Sequence, residues 1–163
     1  MISNAATGNP NVKALVYVAG FAPDRGETVQ GLTDRFRGST LSGALVAFPL
    51  FGGGLDLYIA QAKYPQQFAA DVPTARAALM AVTQRPITQA AAAEPSGAPA
   101  WKEIPSWFVF GGADRNIPPA VQRFIAGRAK ARRTVELDGA SHAVPESRPD
   151  AVADLIVEAA RSR

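Results

Sequence analysis

The sequence predicts an α/β fold with about three parallel strands, flanking helices and an inserted helical cap. In the second half of the chain, short and continuously apolar runs alternate with segments of helical periodicity, as in sheets covered on both faces. The first two apolar runs are separated by residues 28–99, a stretch too long for a bare loop. We therefore expect residues 1–163 to form one partial domain, half of a doubly wound sheet, with residues 28–99 as its cap.

The predicted strands are rich in β-branched and aromatic residues. The first covers Val12–Ala19, the second Trp107–Phe110 and the third Thr134–Leu137. Because the first is apolar on both faces, it fits a strand of a parallel sheet that is covered on both sides.

The cap is predicted to be mainly helical. Asp71 can cap a helix that has Pro73 in its first turn and runs to Gln84, and Pro86 opens a further alanine-rich turn. The run Gly52–Gly54 could suggest a phosphate cradle. It lacks the Gly-x-Gly-x-x-Gly spacing and a preceding strand, so we expect a cap hinge instead.

Two further helices follow the second and third strands. The first begins at Pro118-Pro119, since prolines suit a first helical turn. The second begins at Ser147 with a capping box completed by Asp150. Their inward faces are predicted to carry Val121, Phe124, Ile125 and Ala129 in the first helix, and Val152, Leu155, Ile156 and Ala159 in the second.

Composition indicates a globular protein. Hydrophobic residues make up 47% of the 163 residues and charged residues 19%. No apolar run approaches the ~20 residues of a membrane span, and the N-terminus lacks the pattern of a signal peptide. With no cysteine and one histidine, the chain offers neither a disulfide framework nor a usual metal site. We expect a cytoplasmic protein that uses no metal, no cofactor and no membrane partner.

A net charge of +3 raises the question of nucleic-acid binding. The basic residues concentrate on and just after one predicted helix, without the interleaved aromatic residues that stack on bases. A solvated helix face explains this pattern better, so we expect no nucleic-acid partner. The residues concerned are Arg123, Arg128, Lys130, Arg132 and Arg133.

Asp114 and His142 each follow the end of a predicted strand. Catalytic groups of open α/β sheets gather at the carboxyl ends of the strands, and a right-handed crossover would bring these two loops together. A histidine there can accept a proton from a hydroxyl, while a carboxylate on its other ring nitrogen fixes the tautomer. Either residue alone is better explained as an ordinary loop residue, but the pair in this order favours a catalytic acid and base.

Two sequence blocks carry a family resemblance. Asp114-Arg-Asn-Ile-Pro-Pro-Ala-Val-Gln-Arg-Phe124, followed by Gly139-Ala-Ser-His142, resembles the C-terminal half of the α/β-hydrolase superfamily. The strand Val12–Ala19 with the loop Phe21–Asp24 is similar to the strand that follows the nucleophile helix in that superfamily. The resemblance is strongest to the branch of small methylesterases and hydroxynitrile lyases, and it extends over essentially the whole chain.

The resemblance implies a Ser-His-Asp triad with Asp114 as acid and His142 as base. The family's serine lies in a Gly-x-Ser-x-Gly elbow before the first strand, and its oxyanion hole uses backbone N–H groups after the serine and in an earlier loop. Only Ser3 precedes that strand here, in a segment that resembles the tail of the nucleophile helix ending at Gly8. We therefore expect a truncated catalytic site that is inactive alone.

Other serines are poor substitutes for this nucleophile. Ser141 lies in Gly139-Ala-Ser-His-Ala143, but no long helix opens after it and Pro145 follows at once. Ser39 and Ser42 have no strand before them and belong to the predicted cap. We expect none of them to act as the nucleophile.

A substrate pocket is expected between cap and sheet. Pockets are mostly apolar, but core or cap packing would explain the same residues equally well. The candidate substrate-binding residues are Phe21, Phe48, Leu50, Phe51 and Ile117.

The leading hypothesis is an esterase-type hydrolase of small apolar esters in its complete form. A lyase or other cofactor-free reaction on the same scaffold stays open, because one fold hosts many chemistries. The alternative from another class is a non-catalytic relic, or a module that binds a small molecule or a partner. If Val12–Ala19 has no neighbour on one side, its open edge also predicts marginal stability or self-association.

Overall fold

A computed structural model describes residues 2–162. Its strands are β1 (Leu15–Val18), β2 (Leu45–Pro49), β3 (Leu55–Ile59), β4 (Ile87–Thr88), β5 (Ser106–Gly111) and β6 (Arg133–Leu137). Its α-helices are α1 (Ile2–Ala5), α2 (Val29–Asp34), α3 (Tyr64–Phe68), α4 (Thr74–Thr83), α5 (Gln89–Ala93), α6 (Pro119–Arg128), α7 (Val144–Ser147) and α8 (Pro149–Arg161). Short 3₁₀ helices cover Leu41–Ala44 and Ala100–Lys102.

The predicted parallel sheet is confirmed. It has the order β1-β5-β6, with Leu15 opposite Ser106 in one pair and Trp107 opposite Arg133 in the other. All six residues of the central strand β5 are buried. Helices cover both of its faces, so its continuous apolar sequence is the expected pattern.

Alternate residues of β5 supply the two halves of the core. Phe108 packs with Val121 and Ile125 of α6. Trp107 faces the other side and packs with Leu155 of α8. Because side chains of a strand alternate between faces, one short segment anchors a helix on each side of the sheet.

The first strand is shorter than predicted. The sequence indicated Val12–Ala19, but Val12 belongs to a turn in which its N–H donates to the carbonyl of Asn9. Among residues 2–162, β1 pairs with β5 alone and forms one edge of the sheet. Self-association through this edge stays a prediction.

Residues 28–99 contain the helices α2 to α5, and also a second sheet that the sequence did not predict. Strands β2, β3 and β4 pair antiparallel in that order. Gly52–Gly54 forms the turn between β2 and β3 rather than a hinge, with φ angles of 94°, 102° and 94°. Glycine adopts these angles without a steric penalty, which explains the run of three.

Two predicted helix caps were also wrong. The N-cap of α4 is Pro73, and the N-cap of α8 is Arg148; neither side chain makes a capping hydrogen bond. Asp71 instead accepts hydrogen bonds from Ser141, 70 positions away along the chain. A tertiary partner thus replaced the local cap that the sequence suggested.

Helix α8 is amphipathic over 13 residues. Val152, Leu155 and Ala159 are buried against the sheet, as predicted, but Ile156 is 47% exposed. Among the helices of residues 2–162, none combines the length and apolar character needed to cross a bilayer.

Candidate active site

The candidate site lies where β5 and β6 end side by side. The two strands run parallel, and Gly111 at the end of β5 is opposite Leu137 at the end of β6. Backbone bonds join the loops that follow, since the N–H groups of Gly112 and Ala113 donate to the carbonyls of Leu137 and Ala140, at 2.8 and 2.9 Å. Asp114 and His142 are therefore held at the same edge of the sheet.

Asp114 is buried, and its two carboxylate oxygens have different partners. Oδ1 accepts hydrogen bonds from the backbone N–H groups of Asn116 (2.8 Å) and Ile117 (2.9 Å). Oδ2 lies 2.7 Å from Nδ1 of His142. The loop backbone thus fixes the carboxylate and leaves one oxygen for the histidine.

The His142 ring is held between the acid and an aromatic side chain. Its side chain is 16% exposed, while that of Asp114 is fully buried. The Phe68 ring contacts it edge-on, with centroids 4.6 Å apart and an interplanar angle of 74°. A carboxylate on Nδ1 favours the tautomer that carries its proton there, so Nε2 is the nitrogen left to accept a proton.

A cavity of about 840 Å³ opens beside His142. The loop after β1 contributes Phe21 and the loop after β5 contributes Ile117, so two of the five predicted pocket residues do line it. The other walls come mainly from α2, the Leu41–Ala44 helix, β3 and α3. Residues 28–99 therefore form much of the boundary of this cavity.

The remaining three predicted pocket residues lie outside this cavity. Phe48 faces another groove and packs edge-on against Tyr58, with ring centroids 5.6 Å apart. Leu50 and Phe51 are exposed at the turn between β2 and β3. The sequence did not reveal this placement, because hydrophobicity does not indicate which way a hairpin faces.

Three of the serines considered above have other partners, whereas Ser42 lines the cavity. Ser3 is buried and its hydroxyl is 2.8 Å from that of Tyr17. Ser141 donates to Asp71 and Ser39 to the carbonyl of Asn116. Within residues 2–162, no serine hydroxyl forms a hydrogen bond with the His142 ring. In the described chain, the Asp114–His142 pair is thus not hydrogen-bonded to a serine hydroxyl.

Sequence reasoning missed three polar residues around the two loops. Gln67 and Asn116 are buried and joined by a 2.8 Å hydrogen bond, and Asp71 binds the residue before His142. Asn116 follows Asp114 by two residues, and an aspartate often accepts a hydrogen bond from the backbone N–H at that distance. This spacing could have indicated Asn116. No local signal identifies Gln67 or Asp71, since their partners are distant in sequence.

Glutamates pair with three basic residues on and near α6. These pairs are Arg123–Glu136, Arg128–Glu27 and Arg133–Glu158. They give part of the predicted basic cluster a role within the protein. The expectation of no nucleic-acid partner stays a prediction.

Comparison with known proteins relates this architecture to one family. The sequence model of the alpha/beta hydrolase family matches residues 1–155. No curated protein matches the chain.

Several solved structures resemble the chain. Polyneuridine aldehyde esterase has a TM-score of 0.76 and 11% identity, over 96% of this chain and 64% of that protein. Tomato methylketone synthase I, complexed with 2-tridecanone, has a TM-score of 0.75 and 14% identity, over 99% and 67%. A pyrethroid hydrolase from Sphingobium faniae JZ-2 has a TM-score of 0.64 and 21% identity, over 96% and 64%. The chain thus spans about 64% of the esterase's length, and at these identities the likeness concerns the fold.

Proposed function

Because the chain belongs to the alpha/beta hydrolase family, we propose that Asp114 and His142 are the acid and base of an esterase-type site. The observation that carries this proposal is the 2.7 Å contact between Oδ2 of Asp114 and Nδ1 of His142, beside an open cavity. A buried carboxylate in this position orients the ring and stabilises the imidazolium that forms when Nε2 takes a proton.

The proposed reaction is acyl transfer through a serine. Nε2 of His142 removes the proton of the serine hydroxyl while its oxygen attacks the ester carbonyl, forming a tetrahedral intermediate. The imidazolium then returns that proton to the departing alcohol as the carbon–oxygen bond breaks. Water then attacks the acyl-enzyme with His142 as base, and the imidazolium returns the proton to the serine oxygen as the acyl–serine bond breaks and the carboxylic acid leaves.

We propose that the serine comes from a segment outside residues 2–162. No Gly-x-Ser-x-Gly sequence occurs in the 163 residues, and the hydroxyls of Ser3, Ser39 and Ser141 have other partners. The family places both the nucleophile and the oxyanion donors ahead of the first strand. On this proposal the 163-residue chain alone lacks esterase activity.

The cavity supports a largely apolar ester as substrate. Phe21 and Ile117 contribute apolar surface beside His142, and we propose that both contact the substrate. A volume of about 840 Å³ lies within the range of ligand pockets and leaves room for groups larger than acetyl or methyl. We further propose that residues 28–99 form the cap that shapes this cavity.

Ligand binding without catalysis is the second candidate function. It is favoured by the fact that no hydroxyl among the described residues is hydrogen-bonded to His142, while the cavity itself is well formed. In that case apolar esters would bind to the chain and stay intact.

Hydrolysis of p-nitrophenyl esters tests the proposal. The 163-residue chain is compared with the longer polypeptide encoded when the reading frame is extended upstream of Met1. We expect the chain alone to match its Asp114→Ala, His142→Ala double variant. The longer polypeptide should hydrolyse the ester and lose at least about 10³-fold in kcat when His142 becomes alanine.

An exposed aspartate in the same region supplies the control. Asp138 follows β6 and is exposed, so Asp138→Ala should leave the rate of the longer polypeptide unchanged. Activity of the chain alone well above its double variant would contradict the need for an outside nucleophile. Full activity of the His142→Ala variant would overturn the esterase proposal.

A further inference from the structure

One short stretch between β1 and β5 contacts both of the loops that carry the candidate acid and base. We call residues 67–71, at the end of α3 and just beyond it, the bracing segment. Gln67 binds the loop after β5, while Phe68 and Asp71 bind the loop after β6. Residues far apart in sequence thus meet on one side of the site.

The bracing segment holds three consecutive residues of the histidine loop. Oδ1 of Asp71 accepts hydrogen bonds from the N–H (3.1 Å) and the hydroxyl (2.5 Å) of Ser141. The Phe68 ring packs on His142, and the Phe68 carbonyl accepts from the N–H of Ala143 at 3.0 Å. The backbone on either side of the histidine is therefore fixed, and so is its ring.

Asp71 is held as a carboxylate by its surroundings. Its side chain is 16% exposed, and Oδ2 lies 3.2 Å from the guanidinium of Arg148. Burial alone would raise the pKa of Asp71, but the hydrogen bond from Ser141, with further contributions from Ser147 and nearby backbone, lowers it below its usual value. Bonds to a charged acceptor are stronger than neutral ones, so the contact with Ser141 is a firm one.

Gln67 holds the loop that carries Asp114, as Asp71 holds the loop that carries His142. Its side chain is buried, and its Nε2 donates to Oδ1 of Asn116 (2.8 Å) and to the carbonyl of Arg115 (3.0 Å). Its Oε1 accepts from the Thr40 hydroxyl at 2.8 Å. Asn116 in turn donates its backbone N–H to Asp114, so Gln67 reaches the acid through one residue.

We propose that Gln67 and Asp71 are positioning residues that keep the Asp114–His142 hydrogen bond closed. Neither is hydrogen-bonded to the His142 ring, so each acts through a neighbour, Asn116 or Ser141. The catalytic meaning of this arrangement rests on the proposed function. The effect on the hydrogen bond itself does not, and it can be measured separately.

The chain contains one histidine, which makes the measurement direct. Protein without a histidine tag and with ¹⁵N-labelled histidine gives one set of ring signals, all from His142. A proton held between Nδ1 and a buried carboxylate is expected to resonate far downfield and to exchange slowly with water. Its exchange rate reports how often the Asp114–His142 bond opens.

Asp71→Ala removes both bonds to Ser141, and we expect the Nδ1 proton to exchange about tenfold faster. Asp71→Asn keeps an acceptor oxygen and should restore much of the protection. Asp154→Ala is the matched control, because Asp154 is an exposed carboxylate on α8 without an ion pair among residues 2–162. Its exchange rate should equal that of the wild type.

Gln67→Leu tests the acid side in the same way, with faster exchange expected. If Asp71→Ala or Gln67→Leu fails to fold, the milder Ser141→Ala or Asn116→Ala replaces it, with the same direction expected. If a folded variant on the Asp71 side exchanges the Nδ1 proton at the wild-type rate, the role of Asp71 is overturned. The same result on the Gln67 side overturns the role of Gln67.

The outcomes separate this inference from the proposed function. If the wild-type protein shows no downfield signal, the Asp114–His142 hydrogen bond is not formed, and both the inference and the proposed function are overturned. A normal signal that neither variant changes would overturn the positioning roles alone. A signal that both variants weaken, in a longer polypeptide that hydrolyses no ester, would support the positioning roles and overturn the esterase function.

Discussion

Gly111 determines how closely the loops that carry Asp114 and His142 approach each other. A Cβ atom at this position would lie 2.2 Å from the carbonyl oxygen of Ala140 and 2.3 Å from that of Ser141. Both atoms belong to backbone just before His142, so no side-chain rotation can relieve the overlap. A glycine at the end of β5 is thus a condition for the Asp114–His142 contact.

Gly111→Ala should destabilise the protein by about 3 kcal/mol or more, because backbone must move to make room for the methyl group. Urea unfolding followed by circular dichroism measures the change. Gly127→Ala in α6 is the control, since nothing lies within 4 Å of its added methyl group. That substitution should raise stability by up to about 1 kcal/mol through helix propensity. Equal stability of the Gly111→Ala variant and the wild type would refute the close approach.

At the scale of elements, helix α8 has apolar residues both on its buried face against the sheet and on its exposed face. Leu155→Ala empties a buried position against the sheet and should cost about 2–5 kcal/mol. The neighbouring Ile156 is 47% exposed, so Ile156→Ala should cost less than about 1 kcal/mol. Thermal or urea unfolding of the two variants compares them. Similar losses from both would show that α8 packs in another orientation.

The strands of the parallel sheet were predictable because their signal is local. In β5, the run from Trp107 to Phe110 is apolar on both faces, and the structure buries all of it. The order of strands and helices then limits the topology, since parallel crossovers are nearly always right-handed. The same local logic placed Asp114 and His142 at neighbouring strand ends.

The residues that sequence reasoning misplaced depend on distant partners. Asp71 suits a helix cap by its local sequence, but Ser141 provides a tertiary donor that local sequence cannot reveal. Phe48 and Phe51 are apolar, and only the fold of the β2–β3 hairpin shows that they face away from the cavity beside His142. Gln67 could not be identified as a contact of the loop that carries Asp114 for the same reason.

At the scale of the whole molecule, carboxylates in several regions link stability to pH. Hydrogen bonds from Arg128 and Arg123 lower the pKa values of Glu27 and Glu136, and a hydrogen bond from Lys102 lowers that of Asp24. The pKa of Asp71 is lowered as well. In each case the unfolded chain binds protons more readily than the folded protein, so stability rises with pH in the acid range.

The directions of these pKa shifts determine how the stability of the protein depends on pH. The carboxylates with lowered pKa values contribute their full stability above the ordinary pKa, which is 3.8 for aspartate and 4.5 for glutamate. This contribution is lost as pH falls through their pKa values in the folded protein. Burial raises the pKa of Tyr17, so stability should also fall as pH rises past the ordinary tyrosine value of 10.0. Urea unfolding at a series of pH values should thus give a plateau between these limits.

The Glu27→Gln substitution tests whether Glu27 contributes to the loss of stability at acid pH. Glu27 pairs with Arg128 in a partly buried position, where salt screens the interaction less than at the surface. The variant should lose stability at pH 7 and show a smaller decrease between pH 5 and pH 3 than the wild type. Asp154→Asn removes an exposed carboxylate without an ion pair among residues 2–162 and should keep the wild-type slope. An unchanged slope in Glu27→Gln would mean that the Arg128 pair does not contribute to the acid sensitivity of the fold.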